Sequence, residues 1–428
     1  MLRRRSAPRG MTAGGWSPRL DTQERDVRTK RMRVPSPIVL SFVASAVFAA
    51  ARAEAQAKPP QLKATVDLKI DSALANPIRQ AIILPGPAGE IVVSPQENQG
   101  TMRWFDASGR ALPFKVPVGY GRDNDIRWVT RLGWSGVALV VVDPSFRQVA
   151  LLDKSGKLTK SLEYPSMIRP AWSDRHKFPL FSRYDVFGLY ANGDLLVRPA
   201  EPKELMSTKE YDSTFSYFMR TNENGSIQRV LGRVPRNEGV LERRSGNSRW
   251  IYRVPFFPRT MWDIAADGSK IAIVSQSLKG PDSASYRVII LGEKGDTVLS
   301  KKFPTTLIAI PKKSVDSAVA RVSGSLRDHP LEELRGLVAK EIPPVYPPIE
   351  GLILGADQTI WLQVHSTSAD RQWLALDPAG NSIGVVSVPR TFVARAGDRA
   401  RLWGFEAEGD QLRTLVRYAI TPGTPAKR

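Results

Sequence analysis

Five arginines occupy a recurring position in this sequence, and arginine is the side chain best suited to bind an oxyanion. Each lies some seven to ten residues before the Gly of a tight turn, in the segments IRQAI, IRWVT, SRYDV, PRTMW and PRTFV, which contain Arg79, Arg127, Arg183, Arg259 and Arg390. A sixth copy, PIEGL, has Glu350 instead. If these side chains point inward together, they form a positively charged ring that binds carboxylate, phosphate or sulfate.

The same arginines have a purely structural interpretation, which the sequence leaves open. Each could tether a loop or pair with a nearby carboxylate, such as Asp125, Asp185 or Asp263. The spacing of the copies also differs by up to three residues, so the side chains need not converge.

Other chemistry finds little support in the residue content. The chain has no cysteine and only three histidines, His176, His329 and His365, no two of which have the spacing of metal ligands. It contains no nucleophile elbow, phosphate loop or zinc motif. We therefore predict no catalytic residue, no metal site and no cofactor.

The elements that carry the arginines are predicted from a recurring pattern. An Asp or Asn, a Gly three residues later and a Pro further on recur at Asp106–Pro117, Asp153–Pro165, Asn222–Pro235 and Asp377–Pro389, with a weaker copy at Gly292–Pro304. The Asp or Asn bonds to its own backbone and the Gly supplies a positive φ, so each copy predicts a β-hairpin.

A second signal, a tight turn that leads into a buried strand, occurs six times. The copies are Pro87–Ser94, Trp134–Asp143, Ala191–Pro199, Ala266–Ser275, Ala356–Val364 and Ala396–Glu406. Two hairpins make four antiparallel strands, which is one propeller blade. The sixth unit ends with its third strand at Thr414–Ile420, whereas the strand Lys63–Ile70 precedes the first unit.

The sequence thus predicts an all-β fold, a six-bladed β-propeller of four-stranded blades. We expect the N-terminal strand to complete the sixth blade, which removes the open sheet edges. The predicted blades lie roughly at residues 78–117, 126–165, 183–235, 259–304, 349–389 and 390–420 plus 62–70.

In the segments RWFDASGRALPF, ALLDKSGKL and PPIEGLILGADQTIWLQV the chain resembles bacterial six-bladed β-propellers of the NHL-like and TolB-like kind. The resemblance covers roughly residues 62–420 and implies the fold only, because such propellers include scaffolds, carbohydrate binders, lactonases and lyases. Propeller lyases rely on channel histidines, and three cannot be placed here. Propeller lactonases use a calcium site that Glu350, Asn124 and Asp125 could imitate, although the five arginines oppose cation binding.

Nearly all irregular length falls at one end of the predicted propeller. The second turn of each blade and the link to the next blade lie at this end, which we call the loop face. The first and third turns lie at the other end, the turn face. The long second turns and links are residues 199–214, 277–285, 166–185, 236–258 and 305–348. Because loops on a rigid scaffold often carry function, we expect the site on the loop face.

The longest link contains a predicted helical insertion at residues 312–342, between blades 4 and 5. Ser314–Val322 and Asp328–Ile342 both have helical periodicity. The insertion either packs against neighbouring loops or forms a lid or docking surface, and a docking surface would expose an apolar stripe.

Residues 1–57 are predicted to be a basic leader and signal peptide. The fourteen-residue apolar run Ile38–Ala51 is too short to span a bilayer comfortably, and small residues in A-x-A register follow it. We expect cleavage after Ala57, with Ala53 and Ala55 as alternatives, and translation could begin at Met1, Met11 or Met32. The protein is therefore expected to be exported, either periplasmic or extracellular, with no transmembrane segment after cleavage.

The net charge points to anionic partners. The chain carries +20, and residues 58–428 alone still carry +13. Two predicted loops, 172–184 and 236–253, interleave basic and aromatic residues, which suits sugars or nucleic-acid backbones. Export argues against nucleic acid, so we expect an anionic polysaccharide, an envelope component or an acidic protein surface.

The predicted function is a non-catalytic binding or scaffold propeller, most simply a monomer. One alternative is a hydrolase or lyase that acts in the central channel. Another is a scaffold that docks an envelope protein through Ser314–Ile342.

Overall fold

The computed structural model describes residues 59–423, except 72, 75–77, 97–98, 120–125, 171–177, 201–211, 213, 237–238, 246–247, 279–283 and 323–330. At residues 99, 242–245 and 248–251 it describes the backbone alone. The predicted leader and signal peptide lie outside the described residues.

Six four-stranded antiparallel sheets form the blades of a β-propeller, with the innermost strand given first for each blade. Blade I comprises β2 (Ala81–Pro85), β3 (Ile91–Pro95), β4 (Gln99–Phe105) and β5 (Ala111–Gly119). Blade II comprises β6 (Arg131–Ser135), β7 (Ala138–Asp143), β8 (Gln148–Leu152) and β9 (Leu158–Glu163). Blade III comprises β10 (Tyr184–Leu189), β11 (Leu195–Pro199), β12 (Phe215–Thr221) and β13 (Ile227–Pro235). Blade IV comprises β16 (Met261–Ile264), β17 (Ile271–Ser277), β18 (Ser285–Leu291) and β19 (Thr297–Pro304). Blade V comprises β20 (Ile349–Leu354), β21 (Ile360–Val364), β22 (Arg371–Leu376) and β23 (Ser382–Val388). Blade VI comprises β24 (Phe392–Gly397), β25 (Arg401–Glu408), β26 (Gln411–Pro422) and β1 (Leu62–Ile70).

The N-terminal strand closes the ring, as predicted. β1 pairs antiparallel with β26, from Leu62 opposite Pro422 to Ile70 opposite Leu415. Asp67 also accepts a hydrogen bond from Arg417 at 2.9 Å. The predicted six-bladed fold is therefore confirmed, including its closure and its helical insertion.

The hydrophobic core consists of one cluster at each of the six blade interfaces. The cluster between blades VI and I includes Phe405 and Ile91, and that between III and IV includes Phe218 and Ile271, all fully buried. This arrangement explains the near-continuous apolar runs of the middle strands, since both faces of each blade pack against a neighbour.

The third turns have the predicted chemistry. Gly109, Gly156, Gly225, Gly295 and Gly380 all have φ between 75° and 84°, a region that favours glycine. At the first of these turns the Asp106 carboxylate accepts the backbone N–H groups of Ser108 and Arg110, at 2.9 and 3.0 Å.

Two insertions pack together on the loop face. The link between blades III and IV contains a hairpin, β14 (Val240–Ser245) and β15 (Ser248–Arg253), and the link between IV and V contains α1 (Lys312–Ala320) and α2 (Leu331–Glu341). Leu334 and Val338 of α2 are buried in a small cluster that includes Leu241 and Tyr252 of the hairpin. The hairpin was not predicted.

Docking through the insertion helices stays a prediction, since Val315 and Val319 of α1 are half-buried and no residue of that helix is fully buried. Among the described helix residues, Leu331 is the only large apolar side chain that is exposed. No helix in the described part of the chain is long and apolar enough to cross a membrane.

Candidate functional site: the central channel

The six residues predicted from the recurring position all lie at the loop-face end of the innermost strands. Glu350 is the second residue of β20, and the five arginines lie one to four residues before the innermost strand of their blade, as Arg183 does before β10. Their common location follows from the parallel orientation of the six innermost strands around the channel. Whether they bind a ligand stays a prediction.

Three of these arginines contact second turns rather than one another. Arg79 pairs with Asp410 at 3.3 Å, and Arg127 lies over the Phe146 ring at 4.4 Å. Arg390 donates to the carbonyl oxygens of Ala369, Ser368 and Ser366 at 2.9, 2.7 and 3.3 Å. Each therefore joins the start of an innermost strand to a neighbouring second turn.

The other two arginines are exposed, and within the described residues their guanidinium groups have no hydrogen bond or ion pair. Their backbone carbonyls do accept hydrogen bonds, Arg183 from Ala200 and Arg259 from Gln276. Two of the carboxylates proposed as structural partners pair with different arginines, Asp185 with Arg198 and Asp263 with Arg131. Asp125 lies outside the described residues.

Glu350 belongs to a local polar cluster on blade V. It is the extra residue of a β-bulge between β20 and β21, and its carboxylate accepts Gln363 Nε2 at 2.9 Å. His365 Nδ1 lies 2.5 Å from the other carboxylate oxygen, and Tyr346 stacks on the imidazole at 4.0 Å. These contacts occupy both oxygens of Glu350. His176, His329, Asn124 and Asp125 lie outside the described residues.

A cavity of about 480 Å³ occupies the channel near the turn face. Its described walls come from the innermost strands and first turns of five blades, all except blade III, together with Arg401 and Trp403 on the second strand of blade VI. None of the six predicted residues is among them. The described lining includes apolar groups such as Leu84, Ile353 and Leu354, two tryptophans, Trp134 and Trp403, and several charged residues.

Blade III is excluded because blades II and IV meet directly in the channel. The backbone N–H of Trp134 donates to the carbonyl oxygen of Ala266 at 2.8 Å. Gly133 permits this approach, since a Cβ at its position would lie 2.6 Å from the same oxygen. The cavity is therefore displaced from the ring centre, away from blade III.

Asp263 and Arg131 form the structural part of this site. Arg131 Nη1 lies 3.4 Å from Asp263 Oδ1, and its other terminal nitrogen donates to the carbonyl oxygen of Ile264. The Asp263 carboxylate also accepts the backbone N–H groups of Ile264 and Leu354, both at 2.8 Å. The pair therefore ties together blades II, IV and V, and each charge offsets the other.

Arg395 is a deep charged group of the cavity that has no partner within the described residues. It is the extra residue of a β-bulge in the innermost strand of blade VI, between Ala394 and Ala396, and bulges commonly redirect a side chain next to a functional site. Within the described residues its guanidinium makes no hydrogen bond and no ion pair, although it lines the cavity. Burial lowers its pKa, with no carboxylate to oppose the effect.

The Arg395 side chain is nonetheless accessible to solvent. The side chain is both surrounded by protein and accessible to solvent, because it borders the cavity and solvent enters the cavity. A guanidinium stays charged in proteins, so the cavity contains a positive charge with incomplete solvation.

The mouth of the cavity is acidic. Asp267, Asp357 and Asp398 lie on the first turns of blades IV, V and VI, beside the basic Arg401. Burial raises the pKa of the Asp398 carboxyl and the nearby Asp357 raises it further, whereas the Ala400 N–H and Arg401 lower it. Deep positive charge and outer negative charge are thus separated along the channel.

Sequence reasoning missed Arg395 and Asp398 because it examined the residues before the innermost strands. The available signal for Arg395 was a charged residue inside an innermost strand, in FVARAG, whereas Asp398 lies on the first turn that follows it. Within the described part of the chain, no group of three His, Asp or Glu side chains could hold a metal ion.

Comparison with known proteins bears on the fold alone. No family model matches the chain, and no curated protein matches its sequence. Among solved structures, a DUF4221 protein of Bacteroides vulgatus is 8% identical with a TM-score of 0.44, covering 86% of this chain and 100% of its own. Regucalcin of Agrobacterium tumefaciens, a calcium-binding protein, is 12% identical with a TM-score of 0.36, covering 85% and 97%. Streptogramin B lyase is 12% identical with a TM-score of 0.30, covering 83% and 87%.

These structures are similar to the chain in architecture, and their low TM-scores support no argument about its activity. The class that the described strands define is the six-bladed β-propeller.

Proposed function

We propose that this chain is an exported, non-catalytic binding propeller that captures an anionic ligand. One observation carries the proposal: the unpaired guanidinium of Arg395 in the channel cavity. A partly desolvated cation without a partner is costly, and an incoming carboxylate or phosphate offsets that cost. The net charge of +13 on residues 58–428 draws anions toward the molecule.

The loop face provides a second candidate site for an anionic polymer, as the sequence predicts. The exposed side chains of Arg183 and Arg259 favour it, because they make no polar contact within the described residues. An anionic polysaccharide, an envelope component or an acidic protein surface would suit these exposed guanidinium groups.

A titration of the purified full chain tests both sites. The probes are hexanoate, hexyl phosphate and a sulfated polysaccharide, at low and high salt, with the parent, Arg395→Ala and the double variant Arg183→Ala/Arg259→Ala. We expect Arg395→Ala to lose small anions and the double variant to weaken only the polymer. Binding of all probes by every variant equal to the parent would overturn the proposal.

Two further measurements test the proposed export and the proposed non-catalytic role. Cell fractionation with intact-mass analysis should find the chain outside the cytoplasm, beginning at Lys58; a cytoplasmic, uncleaved chain would contradict export. Chemical change of a lactone or ester panel by the parent, absent in Arg395→Ala, would favour the alternative of a channel hydrolase or lyase.

A further inference from the structure

The charges around the channel cavity are arranged in two levels rather than mixed. The deep level contains the Arg131–Asp263 pair, which is internally neutral, and the unpaired Arg395. The outer level contains the first-turn residues Asp267, Asp357 and Asp398 with Arg401, a net negative charge. A simple anion therefore meets unfavourable charge at the mouth before it reaches Arg395.

The two levels do not neutralise each other. Arg395 and Asp398 lie on one extended strand and its turn, three residues apart, or roughly 10 Å along the strand at about 3.3 Å per residue. No ion pair joins them in the described structure, although both line the same cavity. This separation leaves each charge available to a ligand that reaches both.

A second donor belongs to the wall of the same cavity, on the strand paired with that of Arg395. Trp403 is opposite Ala396 in the sheet, directly beside the bulge, and only 3% of its surface is exposed. Its indole N–H is buried and has no hydrogen-bond partner among the described residues. Such a donor is costly to leave unsatisfied, so it supports an acceptor at the deep level.

Asp398 is the outer carboxylate best placed to accept a ligand. Asp357 already accepts the Thr359 N–H, the Thr359 hydroxyl and the Arg399 N–H, at 3.0, 3.0 and 2.8 Å. The Asp398 carboxylate accepts the Ala400 N–H at 2.7 Å and also interacts with the Arg401 backbone, but within the described residues no side chain donates to it.

We propose that the cavity binds an elongated zwitterion, with an acid group at Arg395 and Trp403, an apolar spacer along Leu84 and Ile353, and an amine at Asp398. This assignment rests on the proposed function and narrows its ligand class. The amine replaces the unfavourable charge contact at the mouth with a favourable one, and the spacer matches the apolar walls between the two levels.

Three matched probes test the assignment by calorimetry on the full chain: 6-aminohexanoate, which carries both groups, hexanoate, which carries the acid, and hexylamine, which carries the amine. We expect 6-aminohexanoate to bind at least about threefold more tightly than hexanoate, the scale of one partly exposed charge pair. Asp398→Asn should abolish that preference while hexanoate still binds. Asp296→Asn removes an equal charge from an exposed third turn and should leave the preference intact.

Failure of this inference is distinguishable from failure of the proposed function. If hexanoate equals or exceeds 6-aminohexanoate and Arg395→Ala loses both, the cavity binds anions but not zwitterions, and only this inference is overturned. If neither acid binds the folded parent, or both bind Arg395→Ala as well as the parent, the anion site itself is overturned. Binding of hexylamine alone would also overturn both.

Discussion

At the loop face the guanidinium groups of Arg79, Arg127 and Arg390 each contact a second turn, whereas in the channel the guanidinium of Arg395 contacts no polar partner among the described residues. Arg79, Arg127 and Arg390 secure similar junctions in their blades, whereas the guanidinium groups of Arg183 and Arg259 make no such contact within the described residues. Arg395 is instead the extra residue of a β-bulge inside an innermost strand, where the bulges of blades III and V have Phe187 and Glu350. The recurring contacts of Arg79, Arg127 and Arg390 therefore indicate architecture, whereas the unpaired Arg395 indicates a site.

Within the channel, removal of the Asp263 carboxylate should have the largest effect on stability. Asp263→Ala leaves Arg131 and the Leu354 N–H without their acceptor. We expect the free energy of unfolding to fall by about 2–4 kcal/mol, measured by urea denaturation. Asp267→Ala, on an exposed turn nearby, is the control, and an equal loss there would contradict the special role of Asp263.

Arg395→Ala should separate binding from stability. Loss of a charge-assisted hydrogen bond costs about 1.5–3 kcal/mol, so affinity for an anionic ligand should fall roughly 10–100-fold. The free energy of unfolding should stay unchanged or rise, because an unpaired, partly desolvated charge is removed. A marked loss of stability would instead assign Arg395 to the architecture, with the loop-face arginines.

Arg79, a loop-face arginine, should contribute slightly to stability and not to small-anion binding. Arg79 is 77% exposed and its partner Asp410 is 72% exposed, so Arg79→Ala should change the free energy of unfolding by about 0–1 kcal/mol. Small-anion affinity should not change. If Arg79→Ala lost more small-anion affinity than Arg395→Ala, the small-anion site would belong to the loop face and not to the channel.

The smallest expected effect is on the pH dependence of stability. Burial raises the pKa of Asp398, so the folded chain holds its proton at pH values where the unfolded chain has released it. Stability from this group therefore falls as pH rises through the window between the unfolded and the raised folded pKa. In urea unfolding at several pH values, the free energy of unfolding of Asp398→Asn should increase relative to that of the parent as pH rises. A difference that stays constant with pH would contradict the raised pKa.

The third-turn residues Asp106 and Asp153 should affect the pH dependence of stability in the opposite direction. Hydrogen bonds from Ser108 and Ser155 lower the pKa of their carboxyls. Their contribution to stability is present above the unfolded pKa and is lost as pH falls toward the lowered folded pKa.

The fold was predictable because its determinants are local and repeated. The bonding of Asp106 to its own turn and the positive φ of Gly109 are encoded within five residues, and the pattern recurs in the same order along the chain. The hairpin Val240–Ser245 and Ser248–Arg253 was missed, because its arginine- and serine-rich sequence lacks a clear alternation of apolar residues. Its described apolar contacts lie with α2, which is distant in sequence.

The candidate site was not predictable for a related reason. The surroundings of Arg395 depend on five blades and on a bulge that sequence periodicity does not reveal. The direct contact between Trp134 and Ala266, which displaces the cavity, joins two blades that are not neighbours in the ring. Such non-local geometry leaves no regular pattern in the sequence.

The closing strand also has a consequence for the biosynthesis of this protein. Asp67 and its partner Arg417 are 350 residues apart, so β1 leaves the ribosome long before its partner strand exists. At about 5–20 residues per second, the wait is roughly 20–70 s. Blade VI, which supplies Arg395 and Asp398, is thus completed only after β26 has been synthesised and can pair with β1.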